Sequence, residues 1–114
     1  MHEVGIMSSA IETVLAQTRE HGASRVHLIV LRIGALSGVQ PEALRFAFDV
    51  VTKDTLAEGA TLEIDTVPAR ARCPDCELDF EPDSSFIFTC PRCSRICGEL
   101  AQGRELELAR IEVS

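Results

Sequence analysis

The sequence has no tryptophan and no tyrosine, and its aromatic content is five phenylalanines in 114 residues. A core must therefore be aliphatic, built from Val, Ile, Leu and Ala, and the 46% hydrophobic content can supply one. The same lack removes the side chains on which nucleic-acid bases stack most readily. Positive charge is short as well: a formal net charge of −7 argues against the broad basic footprint of a nucleic-acid binder. No run of about 18 apolar residues occurs, so no transmembrane helix and no membrane partner are expected. No charged n-region precedes an apolar h-region, so no signal peptide is expected. These absences point to a cytoplasmic protein, where disulfides are disfavoured. Its five cysteines then need another explanation.

The length allows one compact domain, or a small domain with a stapled appendage. Over residues 3–21, Met7, Ala10, Ile11, Val14, Leu15 and Thr18 recur at three- and four-residue steps, the period of an amphipathic helix. Gly22 is placed to stop it. The stretch RVHLIVLRIG (25–34) is nearly all apolar and rich in β-branched residues, which suits a central strand covered on both faces. A loop at Gly34, Ser37 and Gly38 follows. Pro41 opens a second helix, with Leu44, Ala47, Phe48 and Val51 as its buried stripe. After Gly59, TLEIDTV (61–67) reads as a second strand. ELELARIEV (105–113) reads as a third, and its change of phase implies a bulge.

Between Pro68 and Gly103 the composition shifts. Four of the five prolines and all the cysteines lie there, and no long period survives. The expected fold is α+β: a small three-stranded sheet with two helices over residues 1–68 and 104–114. A zinc-ribbon-like module over 69–103 is inserted into it.

That module carries CPDC (73–76) and CPRC (90–93), separated by thirteen residues. Each CPxC turn places two thiolates on one side of a tight knuckle, and two knuckles complete a tetrahedral four-sulfur site that suits zinc. Cys73, Cys76, Cys90 and Cys93 are the expected ligands. Four cysteines leave no open position for water or substrate, so the zinc is read as structural. Iron in a rubredoxin-like site is the chemical rival. Phe80, Phe86 and Phe88 supply the little apolar packing available, and metal binding supplies most of the local folding energy, about 10–16 kcal/mol for sites of this kind. Cys97, four residues past Cys93, is either a spare thiol or a substitute ligand.

The chain opens with MHE. Methionine ahead of a large second residue is normally retained, so a free amine on Met1 is expected. An α-amine and an imidazole both offer lone pairs near neutral pH. The amine, the His2 backbone nitrogen and the His2 ring nitrogen can fuse two chelate rings around one metal, and the Glu3 backbone nitrogen can close a fourth position. Four nitrogens in a plane suit Ni(II) or Cu(II) over zinc. His2 can equally be a solvated terminal histidine, and Glu3 a carboxylate favoured in a first helical turn. His21 reads as a helix C-terminal residue and His27 as a packed or edge strand residue.

Taken together, MHE, LRIGALSGVQPEALRFAFDVV, the CPDC and CPRC pair and the closing GRELELARIEV resemble the HypA/HybF hydrogenase maturation factors, over nearly the whole chain. The resemblance implies a nickel metallochaperone with no enzymatic turnover. It implies nickel held at Met1, His2 and Glu3, with His2 indispensable, and structural Zn(II) held at Cys73, Cys76, Cys90 and Cys93. The implied partners are the nickel-handling GTPase HypB and the [NiFe]-hydrogenase large subunit, with urease maturation served in some bacteria. Some members carry histidines beside the zinc knuckles. Here Glu77 and Ser94 stand after the two knuckles, and no histidine lies in 68–103. Coupling between the two metals would then pass through packing or the thiolates.

Two other readings compete. One is a zinc-ribbon adaptor contacting nucleic acid or transcription proteins, for which Arg70, Arg72, Arg92 and Arg95 around the knuckles offer local positive charge. The net charge and the missing Tyr and Trp weigh against it. The other is a redox protein, which needs a metal-free, redox-active CPxC pair.

Overall fold

The computed structural model describes every residue except Met1, Ser85 and Phe86. Its elements are α1 (His2–Glu20), β1 (Val26–Gly34), α2 (Pro41–Val51), β2 (Thr61–Val67), β3 (Arg70–Cys73), β4 (Leu78–Phe80), β5 (Phe88–Thr89), β6 (Ile96–Cys97), β7 (Glu99–Gln102) and β8 (Leu106–Val113). Two compact units form: Met1–Arg32 with Val39–Asp65 and Glu107–Ser114, and Ile33–Gly38 with Thr66–Leu106. Among the described residues no helix is long and apolar enough to cross a membrane.

The first unit follows the hydrophobic pattern. Met7, Ile11, Val14 and Thr18 form the buried stripe of α1, while Ala10 and Leu15 flank it half-buried. Thr18 is tolerated inside because its hydroxyl donates to the Val14 carbonyl at 2.7 Å. Gly22 adopts φ +69°, and the N–H groups of Gly22 and Ala23 reach back to the carbonyls of Arg19 and Thr18. That is a Schellman stop, which needs a left-handed residue at this position. Leu44, Ala47 and Phe48 are buried on α2, Val51 only partly, and α2 packs on α1.

The three-stranded sheet has the order β2-β1-β8. Ile29, Val30 and Leu31 are buried in succession, so both faces of the central strand are covered at its middle. The backbone of Ser114 bonds Arg25, and the Gly34 N–H donates to the Glu105 carbonyl, so β8 runs antiparallel to β1. Ala35 N–H donates to the Val67 carbonyl just past the strand ends. β2 is therefore parallel to β1, with α2 as the crossover. Along β8 the half-buried positions step from Leu108 to Ile111 and Val113, the change of phase visible in the sequence.

Among its described residues the second unit holds five strands that no periodicity announced, none longer than four residues. They form a β4-β3-β7 sheet and a β5-β6 pair. Ala71 stands opposite Phe80, and Phe88 opposite Cys97. The core is Ala71, Cys73, Phe80, Phe88, Cys90 and Cys97, with Leu36, Cys76, Leu78 and Leu100 packed against it. Of the three phenylalanines expected here, Phe80 and Phe88 are buried and Phe86 lies outside the described residues. Gly34 is required by close approach: a Cβ there would overlap the Gly103 carbonyl, and the Leu36 N–H donates to that same carbonyl at 2.7 Å.

Candidate metal centres

The four cysteines of the two CPxC turns converge. Cys73 ends β3, and its knuckle turns directly into β4; Cys90 follows β5, and its knuckle leads to β6. The four Sγ atoms lie within 4.8 Å of one another, with Cys73–Cys93 at 3.7 Å and Cys76–Cys90 at 3.9 Å. Four sulfurs placed at about 2.3 Å around a tetrahedral zinc stand about 3.8 Å apart. The cage therefore fits a structural zinc site and leaves no open position on the metal.

Backbone geometry makes the knuckles. The Ser94 N–H donates to the Cys90 carbonyl at 2.9 Å, and the Cys90 N–H to the Arg95 carbonyl at 2.8 Å. The Arg92 N–H points at Cys90 Sγ at 3.4 Å. Glu77 and Ser94, each directly after the second cysteine of its knuckle, take left-handed conformations with φ of 52° and 61°. Residue type hid this feature, since neither is glycine. The position was nevertheless readable, because a knuckle that reverses the chain needs such a residue at its exit.

Three of the four thiols shift one another's ionisation. The Cys76 N–H, with the neighbouring Cys93 and Cys90 thiols, holds Cys73 down to about 6. The bond with Cys93, together with burial and the remaining sulfurs, pushes Cys76 up to about 12. Cys93 is raised as well, its backbone bond near Arg95 being outweighed by burial and the Cys90 and Cys73 thiols. Within the cage Cys73 is thus the readiest thiolate, and a cation is needed to draw the protons from Cys76 and Cys93. Cys97 is buried in the same core, 3.6 Å from the Arg95 carbonyl, and lies outside the four-sulfur group. Burial first, then Cys73, pushes its thiol up.

The arginines around the module have acidic neighbours that the sequence did not reveal. Arg95 pairs with Asp75 of the first knuckle at 2.7 Å, and Arg72 with Asp79 at 3.1 Å across β3 and β4. Arg70 donates to the Asp79 carbonyl. Three of the four are thus engaged within the module rather than presented as a basic surface.

At the amino end the structure brings His2 and Glu3 together; Met1 lies outside the described residues. His2 is exposed at the start of α1, and its Nε2 stands 3.6 Å from Glu3 Oε2. Glu3 Oε2 also accepts the Gln40 N–H at 3.4 Å. Glu3's own N–H, then Gln40, hold this carboxyl below the usual range. His2 and Glu3 occupy the first helical turn, where backbone N–H groups have no intrahelical acceptor. His21 Nδ1 bonds the Gln17 carbonyl at 2.8 Å, the C-terminal role expected of it. His27 differs from expectation: it is neither packed nor on an edge strand, but exposed on central β1 with Nε2 2.7 Å from Ser114 Oγ.

A family model described as "Hydrogenase/urease nickel incorporation, metallochaperone, hypA" matches residues 1–113. The chain belongs to the HypA family. It is 41% identical over 112 residues to the hydrogenase maturation factor HypA of Chloroflexus aurantiacus, covering 98% of each chain. To that of Acidithiobacillus ferrooxidans it is 43% identical over 113 residues, covering 99% of each. The fold is shared with the solution structure of the Ni metallochaperone HypA from Helicobacter pylori, at TM-score 0.69 and 24% identity over 97% of this chain and 96% of that one. A second HypA solution structure matches at TM-score 0.75 and 25% identity, over 100% and 97%. As a HypA protein the chain is a nickel metallochaperone of hydrogenase maturation.

Proposed function

We propose that Met1, His2 and Glu3 carry the nickel, through the Met1 amine, the His2 and Glu3 backbone nitrogens and the His2 ring, in a chain whose Met1 amine is free. The observation that supports this most is the exposure of His2 at the helix start, with Glu3 beside it and the amides of both in a turn that leaves them without intrahelical acceptors. Planar nitrogen ligation selects Ni(II) or Cu(II), and a terminal position lets a partner reach the cargo. Residues 1–68 with 104–114 form the nickel-binding domain. Residues 69–103 form the zinc module, with Cys73, Cys76, Cys90 and Cys93 on the metal. Transfer takes place in the cytoplasm, with the GTPase HypB and the [NiFe]-hydrogenase large subunit as partners, and the chain itself turns over no substrate.

The test is metal analysis of untagged protein, with and without added nickel, beside His2→Ala and a variant extended ahead of Met1. Zinc in every sample and nickel in the parent alone is the expected pattern. Equal nickel in either variant would remove this assignment. The nucleic-acid alternative is not favoured, because three of the four arginines it needs are engaged with Asp75 or Asp79.

A further inference from the structure

We infer that the Glu3 carboxylate is a positioning group: seated against the start of α2, it fixes the His2 ring in the tautomer that presents Nδ1 to nickel. This rests on the nickel assignment just given and adds the role of a side chain that the backbone ligation does not use.

The two side chains differ in freedom. His2 is 62% exposed and Glu3 13%, so the carboxylate is the held partner and the ring the free one. Glu3 is held by its own N–H and, beyond it, by a need of α2. Gln40 caps that helix in extended conformation, and among the described residues no side chain of α2 closes its own start. Pro41 has no N–H to offer, and the third helical residue, Ala43, cannot reach back as a capping-box glutamate would. The Gln40 N–H finds its acceptor in Glu3 of the other helix instead, at 3.4 Å. The positive end of α2 favours a carboxylate there.

The same oxygen, Oε2, faces His2 Nε2 at 3.6 Å. That is longer than a hydrogen bond, so in the metal-free chain the carboxylate acts as a fixed negative charge beside one ring nitrogen. A neutral imidazole has one N–H and one lone pair. With a carboxylate facing Nε2, a proton there is attracted and a lone pair is repelled. The proton therefore sits on Nε2 and the lone pair on Nδ1. Nδ1 is also the nitrogen that chelates well: with the His2 amide nitrogen it closes a six-membered ring on the metal, whereas Nε2 closes a larger, strained one. With a cation on Nδ1 the Nε2–H would be a stronger donor toward Glu3, and a carboxylate there would raise the basicity of Nδ1 as a ligand.

The test reads the tautomer before any metal is added. Long-range proton–nitrogen correlation of the His2 ring, on untagged protein at a pH where the ring is neutral, should show Nε2–H in the parent. In Glu3→Ala it should show a mixture with the Nδ1–H form. Gln40→Pro removes the anchoring N–H at a backbone already extended, with φ −93° and ψ 116°, and should shift the mixture in the same direction. Nickel titration should then show the planar absorption band retained but affinity lowered about 10–100-fold in Glu3→Ala, with Glu3→Gln between it and the parent. A parent ring found as Nδ1–H, or a Glu3→Ala variant with parental tautomer and parental affinity, overturns the inference. His2→Ala binding nickel as the parent does would overturn the nickel assignment instead, whatever the tautomer shows.

Discussion

The two units solve the problem of cohesion differently. The first buries the aliphatic stripes of a 19-residue and an 11-residue helix with the centre of β1. The second has strands of four residues or fewer, and half of its six buried core residues are cysteines. Hydrophobic burial at about 25 cal/mol per Å² suffices only where enough apolar surface is brought together. Where it is not, metal ligation must replace it. The largest expected effect follows. Stripping zinc removes about 10–16 kcal/mol of local folding energy, and Cys90→Ala removes part of it. Amide signals of residues 66–106 should collapse to unfolded shifts while the helical circular dichroism of α1 and α2 remains. Uniform loss in both units would break the comparison. Metal uptake must also release protons, since Cys76 is pushed up to about 12 and is protonated in the metal-free chain at neutral pH. Zinc affinity should therefore fall as pH is lowered.

The reciprocal change is smaller. Leu44 is fully buried on α2, and Leu44→Ala should cost about 2–5 kcal/mol through lost transfer energy and a cavity. The thermal midpoint should fall while zinc content per folded chain stays that of the parent. Zinc loss in parallel would show that the sulfur cage depends on the aliphatic core.

Legibility divides along the same line. Helix α1, strand β1 and helix α2 were readable because a long apolar stripe leaves a period, and the period survives substitution among Val, Ile and Leu. The metal ligands were readable for a different reason: CPxC spacing is dictated by knuckle geometry. What could not be read lies between these signals. The strands β3 to β7 are too short to show alternation. The Asp75–Arg95 pair and the Glu3–Gln40 bond join residues far apart in sequence, and nothing local marks them. Two of the four arginines that looked like a basic patch in the sequence, Arg72 and Arg95, pair with aspartates once the chain is folded. His27 was misplaced because its own exposure depends on what lies beyond the strand, not on the strand.

A third change acts within the second unit without touching sulfur. A Cβ at Gly34 would overlap the Gly103 backbone, and Gly103 itself has φ 129° with Ala69 Cα 2.9 Å from its own Cβ position. Backbone on both sides cannot yield as a flexible side chain does. Gly34→Ala should cost about 1–3 kcal/mol, seen as a lower thermal midpoint and faster zinc loss to a chelator. Leu44→Ala should change the first and spare the second. If Gly34→Ala leaves zinc retention untouched, the cage is set by the knuckles alone.

The smallest change is aimed at the knuckles themselves. Glu77 and Ser94 are held at positive φ, where an L-residue pays about 1–2 kcal/mol for its Cβ. Glycine avoids that cost but loses about 0.5–1 kcal/mol through the freedom of its unfolded backbone. The difference leaves Ser94→Gly ahead by up to about 1.5 kcal/mol. A β-branched residue is worse than serine there, so Ser94→Val should lose about 1–2 kcal/mol. The order glycine, serine, valine should appear in resistance of bound zinc to a chelator, because the left-handed turn at Ser94 directs the chain to Arg95, whose carbonyl accepts the Cys90 N–H. The helices of the first unit should not register the series at all. A flat series would mean that the metal sets the knuckle conformation and the backbone merely follows. A graded one means that the chain bends itself toward the metal before the metal arrives.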